Sequence, residues 1–368
     1  MDPHHSSGTP RPFDALGGWP GVLSRLLEGG SLDVTEAECV MEQVFEGEAT
    51  PAQTAALLVA LRAKGESVAE VTGFVRAMLA HTETVATEGD VVDLVGTGGD
   101  RLRSFNVTTL AAIITAGGGV AVCKHGNRAA SSSVGTADVL EALGVVVDLG
   151  PGGVARCVAE VGMGFCFAPR FNRAMRFAAP VRGQLGIPTV FNVLGPLANP
   201  ARATRQLVGL SDPAMASTMA EVLGTNGSRH SMVVYADDGL DELSVTSPST
   251  VMEVIGDGQG AYDVRTWRLD AVQLGFAQAT MDDLRGGDAT FNAGVIRGVL
   301  NGDRGPRRDI GVLNAAAALV IAGNAVDLSE GVAQASDSLD SGRAAEVLDE
   351  LVRVSAISAL IADSVAGG

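Results

Sequence analysis

Four stretches of this chain carry polar residues at spacings that could handle a phosphate or a cation. In VGTGGD, residues Gly96, Thr97, Gly98, Gly99 and Asp100 close an apolar run, and the glycines expose backbone N–H groups that an anion can approach. The lysine and spacing of a Walker A loop are missing, and Arg101 and Arg103 break the dinucleotide pattern. A plain structural turn accounts for these glycines equally well. In NVTTLAA, residues Asn106, Thr108 and Thr109 fall at a predicted helix start. Capping explains one of them, whereas the three together suit phosphate and Mg²⁺. CKHGNRAASSS gathers Lys124, His125, Asn127 and Arg128 in an otherwise acidic chain, with a solvated loop as the rival reading. In DDGLDELS the adjacent Asp241 and Glu242 repel each other, and a hard cation would relieve that. An acidic surface loop is the commoner origin of such a pair. Arg182, in APVRGQLG, has the planar fork that clamps a carboxylate, and is otherwise a surface arginine.

The elements that must position these residues follow from the apolar periodicity. From about 20 to 88 the pattern is helical throughout, with starts marked by Thr35 before Glu36 and by Thr50-Pro51. At Val91 it changes to short apolar runs alternating with helices: VVDLVG, VAVCKHG, VVVDLG and GFCFAP read as strands. This alternation predicts an α/β domain with a mainly parallel sheet. Its strand ends are where open sheets bind ligands, which favours the functional reading of the KHGN cluster. Residues 172–200 interrupt with helical, proline-containing sequence, and helices are expected at about 288–300, 309–323 and 329–355. The predicted organisation is a disordered arm over 1–20, a small helical domain over 21–88 completed by 178–200, and a large α/β domain from 90–177 and 201–364.

Composition narrows the function classes. With 26 Lys and Arg against 43 Asp and Glu, the net charge of −17 repels phosphate backbones, which argues against duplex nucleic acid. Cys39, Cys123, Cys157 and Cys166 lack metal-ligand spacing and read as reduced core thiols. The polar N-terminus has no secretory pattern and no apolar run suits a bilayer, so a cytoplasmic protein without a membrane partner is expected.

In one order along residues 20 to 360, VGTGGD, NVTTLAA, KHGNRAASS, TADVLEALG, GFCFAPRF, APVRGQLGIPTVFNVLGPLANPA, DGLDEL, GGD at 286–288, Asn292-Ala293 and VLNAAAAL resemble the anthranilate phosphoribosyltransferase family. The resemblance implies the nucleoside phosphorylase/phosphoribosyltransferase type of α/β fold, with a small all-helical domain and usually a homodimer. It implies transfer of phosphoribose from phosphoribosyl pyrophosphate to the anthranilate amine, the second step from chorismate to tryptophan. By resemblance, Gly96, Thr97, Gly98, Gly99, Asp100, Asn106, Thr108, Thr109, Lys124, Asn127, Ser131, Ser132 and Ser133 bind the donor. Thr108, Asp241 and Glu242 hold Mg²⁺, two ions with donor bound, and His125, Asn127, Asn172, Arg173, Arg182, Gly195 and Pro196 surround the acceptor.

The departures fall mostly on the acceptor side. Asn172-Arg173 replaces the family's His-Pro, Gly183 stands where arginine is common, and Thr108 replaces a serine while keeping the hydroxyl. A paralogue using another aromatic amine is therefore the main rival. A nucleoside phosphorylase, or a non-catalytic paralogue that binds nucleic acid or another ligand, fits the retained Lys124, Asp241 and Glu242 less well.

Overall fold

The computed structural model describes residues 12–98, 104–129 and 134–366. They divide into two compact units. One comprises the described residues up to His81 with Arg173–Leu194, and the other Thr82–Asn172 with the described residues from Gly195 onward.

The first unit is helical. Its main helices span Gly18–Leu27, Val34–Phe45, Pro51–Lys64, Val68–Ala80 and Met175–Leu185. Three of them start in reciprocal capping boxes, Asp33 with Glu36, Thr50 with Gln53 and Ser67 with Glu70. Each satisfies two N–H groups that the helix itself leaves unpaired. The cap before Val34 is thus Asp33, two residues ahead of the expected Thr35, which lies in the helix's first turn. Glu70 is fully buried and well satisfied: it accepts from the Leu32 and Ser67 N–H groups and from Lys64 Nζ. A short helix, Pro12–Ala15, begins within the segment expected to be an arm. Phe13 packs edge-on against the buried Trp19 with ring centroids 5.5 Å apart, which anchors it.

The second unit is built on a seven-stranded sheet. In chain order the strands are β1 (Val92–Gly96), β2 (Val122–Gly126), β3 (Met163–Phe167), β4 (Arg205–Gly209), β5 (His230–Ala236), β6 (Ser249–Gly256) and β7 (Tyr262–Leu269). Their spatial order is β3-β2-β1-β4-β5-β6-β7. The first five in chain order pair in parallel, so β1, β2, β4 and β5 release their following loops at one edge. Chain order reverses between β1 and β4, the switch point where open α/β sheets gather ligands. β6 and β7 add an antiparallel extension that the sequence reading lacks. The helices Val107–Gly117 and Pro306–Ala322 pack on each other and on the central strands. Their almost continuous burial matches their near-unbroken apolar sequence.

Two expected elements differ. VVVDLG forms no strand: Val145, Val147 and Leu149 are buried, but the Val146 N–H donates to Ser355 Oγ on the last helix. The helix expected over 329–355 is two helices, Leu328–Asp340 and Arg343–Ala366, parted at Gly342, whose φ of 84° few other residues adopt. Among the described residues no helix is long and apolar enough to cross a membrane.

The helical unit depends on close approach at Gly73, where a Cβ would lie 2.3 Å from the Val34 carbonyl oxygen and 2.7 Å from Ala37 Cβ. We expect Gly73→Ala to lower unfolding free energy by about 1–3 kcal/mol, read by denaturant titration, through overpacking. An unchanged midpoint would mean that these helices slide apart freely.

Candidate active site

The carboxyl edge of the parallel strands gathers most of the residues singled out above. β1 ends at Gly96, and Gly98 takes a left-handed φ of 65°. This turn points the Gly98 N–H at Asp241 Oδ2, 2.7 Å away. Gly96 and Gly209 have to be glycines here. A Cβ on Gly96 would lie 2.3 Å from Asp241 Oδ2, and one on Gly209 would lie 1.5 Å from the Asp241 carbonyl oxygen. The Thr97 N–H donates to the Gly209 carbonyl, and Ser211 bridges both residues of the turn. Its N–H donates to Thr97 Oγ1 and its hydroxyl to the Gly98 carbonyl. Loops from β1 and β4 are thus stitched together at the switch point.

Asp241 and Glu242 sit in the loop after β5, 6% and 7% exposed, so they are not the surface acidic pair of the rival reading. Flanking Leu240 and Leu243 are fully buried and fasten the loop to the core. Asn314, buried in the helix Pro306–Ala322, accepts from the Leu243 N–H and donates to its carbonyl, at 3.0 and 2.9 Å.

Lys124, on β2, is 1% exposed. Its Nζ donates to the Leu94 carbonyl and, at 3.3 Å, to Thr108 Oγ1. Burial lowers its pKa to about 8, against the opposing pull of Asp93, Glu242 and Asp241. Asn106 occupies the N-cap position without capping. Its amide oxygen instead accepts from Asn292, whose own oxygen receives the Gly287 N–H. Thr109 is fully buried, and its hydroxyl has no hydrogen-bond partner among the described residues. Asn127 is exposed and accepts from the Arg128 N–H, while Arg128 pairs with Glu141 and Asp138.

The residues expected around the acceptor are dispersed in their surroundings. His125 is buried between Asp93 and Gly195. Asn172 is buried, and its amide oxygen accepts from the Thr82 hydroxyl. Pro196 is buried and Gly195 half-buried. Arg173 and Arg182 belong to the helical unit. Arg173 is exposed, and the Arg182 guanidinium lies 5.2 Å from the Phe191 ring centre, where burial lowers its pKa. Gly99, Asp100, Ser131, Ser132 and Ser133 lie outside the described residues.

Among the described residues no group of three or more Asp, Glu, His or Cys side chains could by itself cage a metal. The donor set at Asp241, Glu242 and Thr108 is all hard oxygen. Magnesium characteristically binds through one or two carboxylates and takes its remaining ligands from water and substrate phosphates. These residues fit that mode. Asp93, Ser211, Asn314, Gln206 and Asn199 support the site without having been singled out. A polar residue inside an apolar strand or helix pattern is the one signal by which Asp93, Gln206 and Asn314 could be found.

Such a parallel sheet, with a glycine turn, a buried lysine and an acidic pair at its switch point, brings together groups that suit an anion and a hard cation. The model of a glycosyl transferase family matches accordingly, its α/β domain over residues 88–345 and its helical bundle domain over 20–82. The chain belongs to the anthranilate phosphoribosyltransferase family. It is 51% identical over 345 residues to the anthranilate phosphoribosyltransferase of Thermomicrobium roseum, covering 93% of this chain and 98% of that one. The crystal structure of the Thermus thermophilus enzyme is similar with a TM-score of 0.84 at 40% identity, covering 90% of this chain and 98% of that one. The Saccharomyces cerevisiae enzyme in complex with PRPP and Mg gives a TM-score of 0.83 at 26% identity, with 92% and 98% covered.

Replacing Gly96 with alanine should push the Asp241 carboxylate off the Gly98 N–H. We expect a loss of about 1–3 kcal/mol in unfolding free energy from this overpacking, measured in urea. A variant as stable as the parent would show that Asp241 is not held by the turn.

Proposed function

We propose that this enzyme transfers the 5-phosphoribosyl group of 5-phospho-α-D-ribose 1-diphosphate to the amine of anthranilate and releases pyrophosphate, the second step from chorismate to tryptophan. The observation that carries this reading is the buried Lys124 facing Asp241 and Glu242 beside the Gly96–Gly98 turn. Family membership supports it.

In this reading the donor lies along the carboxyl edge. Gly96–Asp100, Asn127 and the Ser131–Ser133 segment surround it, and Asn106, Thr108, Thr109 and Lys124 meet its phosphates. Asp241, Glu242 and Thr108 would hold Mg²⁺, which supplies neutralising charge to the diphosphate. Two ions are proposed, since three ligands leave most of each coordination shell to the donor.

As the C1–O bond to diphosphate breaks and the N–C1 bond forms, negative charge grows on the leaving oxygen. Lys124 is already oriented by the Leu94 carbonyl and Thr108. It can meet that charge without reorganising, which is where fixed electrostatics have most effect. The aryl amine attacks through its neutral lone pair and loses its proton after bond formation, so no strong base is needed. Arg182, an always-charged fork resting on Phe191, would bind the acceptor carboxylate. Asn127, Asn172, Arg173, Gly195 and Pro196 would shape the acceptor route.

Leu27 and Val59 are exposed on two helices of the helical unit that pack on each other. They support a homodimer formed through that unit. Sedimentation should give a dimer that Leu27→Glu with Val59→Glu converts to monomer; a monomeric parent would rule the dimer out.

Pyrophosphate release with donor, Mg²⁺ and a panel of aminobenzoates tests the function. We expect the highest kcat/KM with anthranilate. Lys124→Met should reduce kcat by about 10²–10³, the usual cost of removing one fixed charge-stabilising group. Preference for a different amine would make Asn172 and Arg173 specificity determinants of a diverged enzyme. No turnover with any aryl amine would refute the assignment.

A further inference from the structure

His125 is 4% exposed at the end of β2, and its ring has acceptors on both sides. Nδ1 lies 2.6 Å from Asp93 Oδ2, and Nε2 lies 2.8 Å from the Gly195 carbonyl oxygen. A carbonyl cannot donate, so Nε2 carries a proton. The Asp93 carboxylate already accepts on both oxygens, from the His125 backbone N–H at 3.2 Å and from Gln206 Nε2 at 3.4 Å. With Asp93 ionised, Nδ1 carries a proton as well, and the ring is an imidazolium. The approach of Asn199 Nδ2 to Nδ1 is longer, at 3.4 Å, and that amide donates to the Cys123 carbonyl at 2.8 Å.

The carbonyl that His125 holds belongs to a segment tied down by further buried side chains. Gln206 donates to the Pro196 carbonyl at 3.2 Å, and Asn199 Oδ1 accepts from the Ala201 N–H at 2.7 Å. Only His125 among these groups brings a charge to the turn. All of these residues lie within the sheet unit.

We propose that Asp93 and His125 form a positioning pair: the doubly protonated ring, anchored by the Asp93 carboxylate, grips the Gly195 carbonyl and fixes Gly195-Pro196. Where the family resemblance implies an acceptor contact, both ring nitrogens are already engaged. The link to acceptor binding rests on the proposed function, which puts Gly195 and Pro196 on the acceptor route. The protonation state does not.

The electrostatics agree with the geometry. Burial pushes the His125 pKa down, but the Asp93 charge and hydrogen bond and the Gly195 carbonyl more than reverse this. Lys124, beside it on β2, opposes the rise, and Cys166 is its register partner on β3. Burial would raise the Asp93 carboxyl, yet His125, Lys124 and Asn199 hold it below the usual range. A ring whose pKa is raised on folding stabilises the native state fully below its unfolded pKa of about 6.5. That contribution fades as pH climbs through the folded value.

The test reads the ring nitrogens directly. The chain has five histidines, so ¹⁵N spectra of the labelled full-length protein with and without His125→Gln identify the signal. Both nitrogens should be protonated at pH 7, above the ordinary histidine pKa of about 6.5. A neutral ring with one bare nitrogen would overturn the pair. The kinetic arm compares His125→Gln, which keeps an N–H near the Nε2 position, with His125→Ala. We expect His125→Ala to raise the acceptor KM about tenfold and His125→Gln about threefold or less, the scale of one charge-assisted hydrogen bond lost or replaced. Equal losses would overturn positioning through the Gly195 carbonyl. If the parent enzyme transfers nothing to an aryl amine, the functional reading falls while the spectrum still decides the pair.

Discussion

Burying five ionisable side chains in one cluster is the constraint on which the rest of this structure depends. Asp93, Asp241 and Glu242 lie within electrostatic reach of Lys124, and His125 joins through Asp93 and Lys124. All five are less than a tenth exposed. Desolvating a charge costs several kcal/mol, on the order of what a whole domain has in reserve, unless it is paired and hydrogen-bonded. The fold therefore has to deliver each partner in register. Parallel strands do this by bringing Asp93 and His125 onto adjacent strands and by releasing the loops that follow β1, β4 and β5 at one edge. Three carboxylates against two cations leave the cluster one negative charge in excess, an arrangement suited to an added cation.

The same constraint explains residues that touch no reacting group. Asn314 supplies a donor and an acceptor to Leu243 in an otherwise aliphatic helix, fixing the loop that carries the acidic pair. Asn292 draws the Asn106 side chain away from its cap. Ser211 closes the glycine turn from the loop after β4. Asn314 and Asn292 use helix positions for hydrogen bonds that hold the neighbouring loop and helix start.

Much of the fold was legible in the sequence because period and punctuation dominate there. The helical stretch before residue 88, the strand-and-glycine pattern of VVDLVG and the parallel alternation rest on local physics. The β7 strand was hidden because it is largely exposed, and its charged, alternating sequence YDVRTWRL lacks the apolar run used to recognise strands. VVVDLG misled for the opposite reason, as its alternating burial comes from packing under the last helix. At the site, glycine turns and the KHGN cluster carried a signal. The commitments of His125 and Asn172 did not, since their partners Gly195 and Thr82 lie 70 and 90 residues away in sequence.

If the buried acidic pair exists to hold a cation for the donor, donor binding and metal binding must be coupled, and calorimetric titration of the donor measures this directly. We expect tight binding with Mg²⁺, weakened about tenfold or more when Mg²⁺ is chelated or when Asp241→Asn is combined with Glu242→Gln, the scale of losing charge-assisted contacts. Donor binding of the same strength with and without Mg²⁺, unchanged in the double variant, would contradict it.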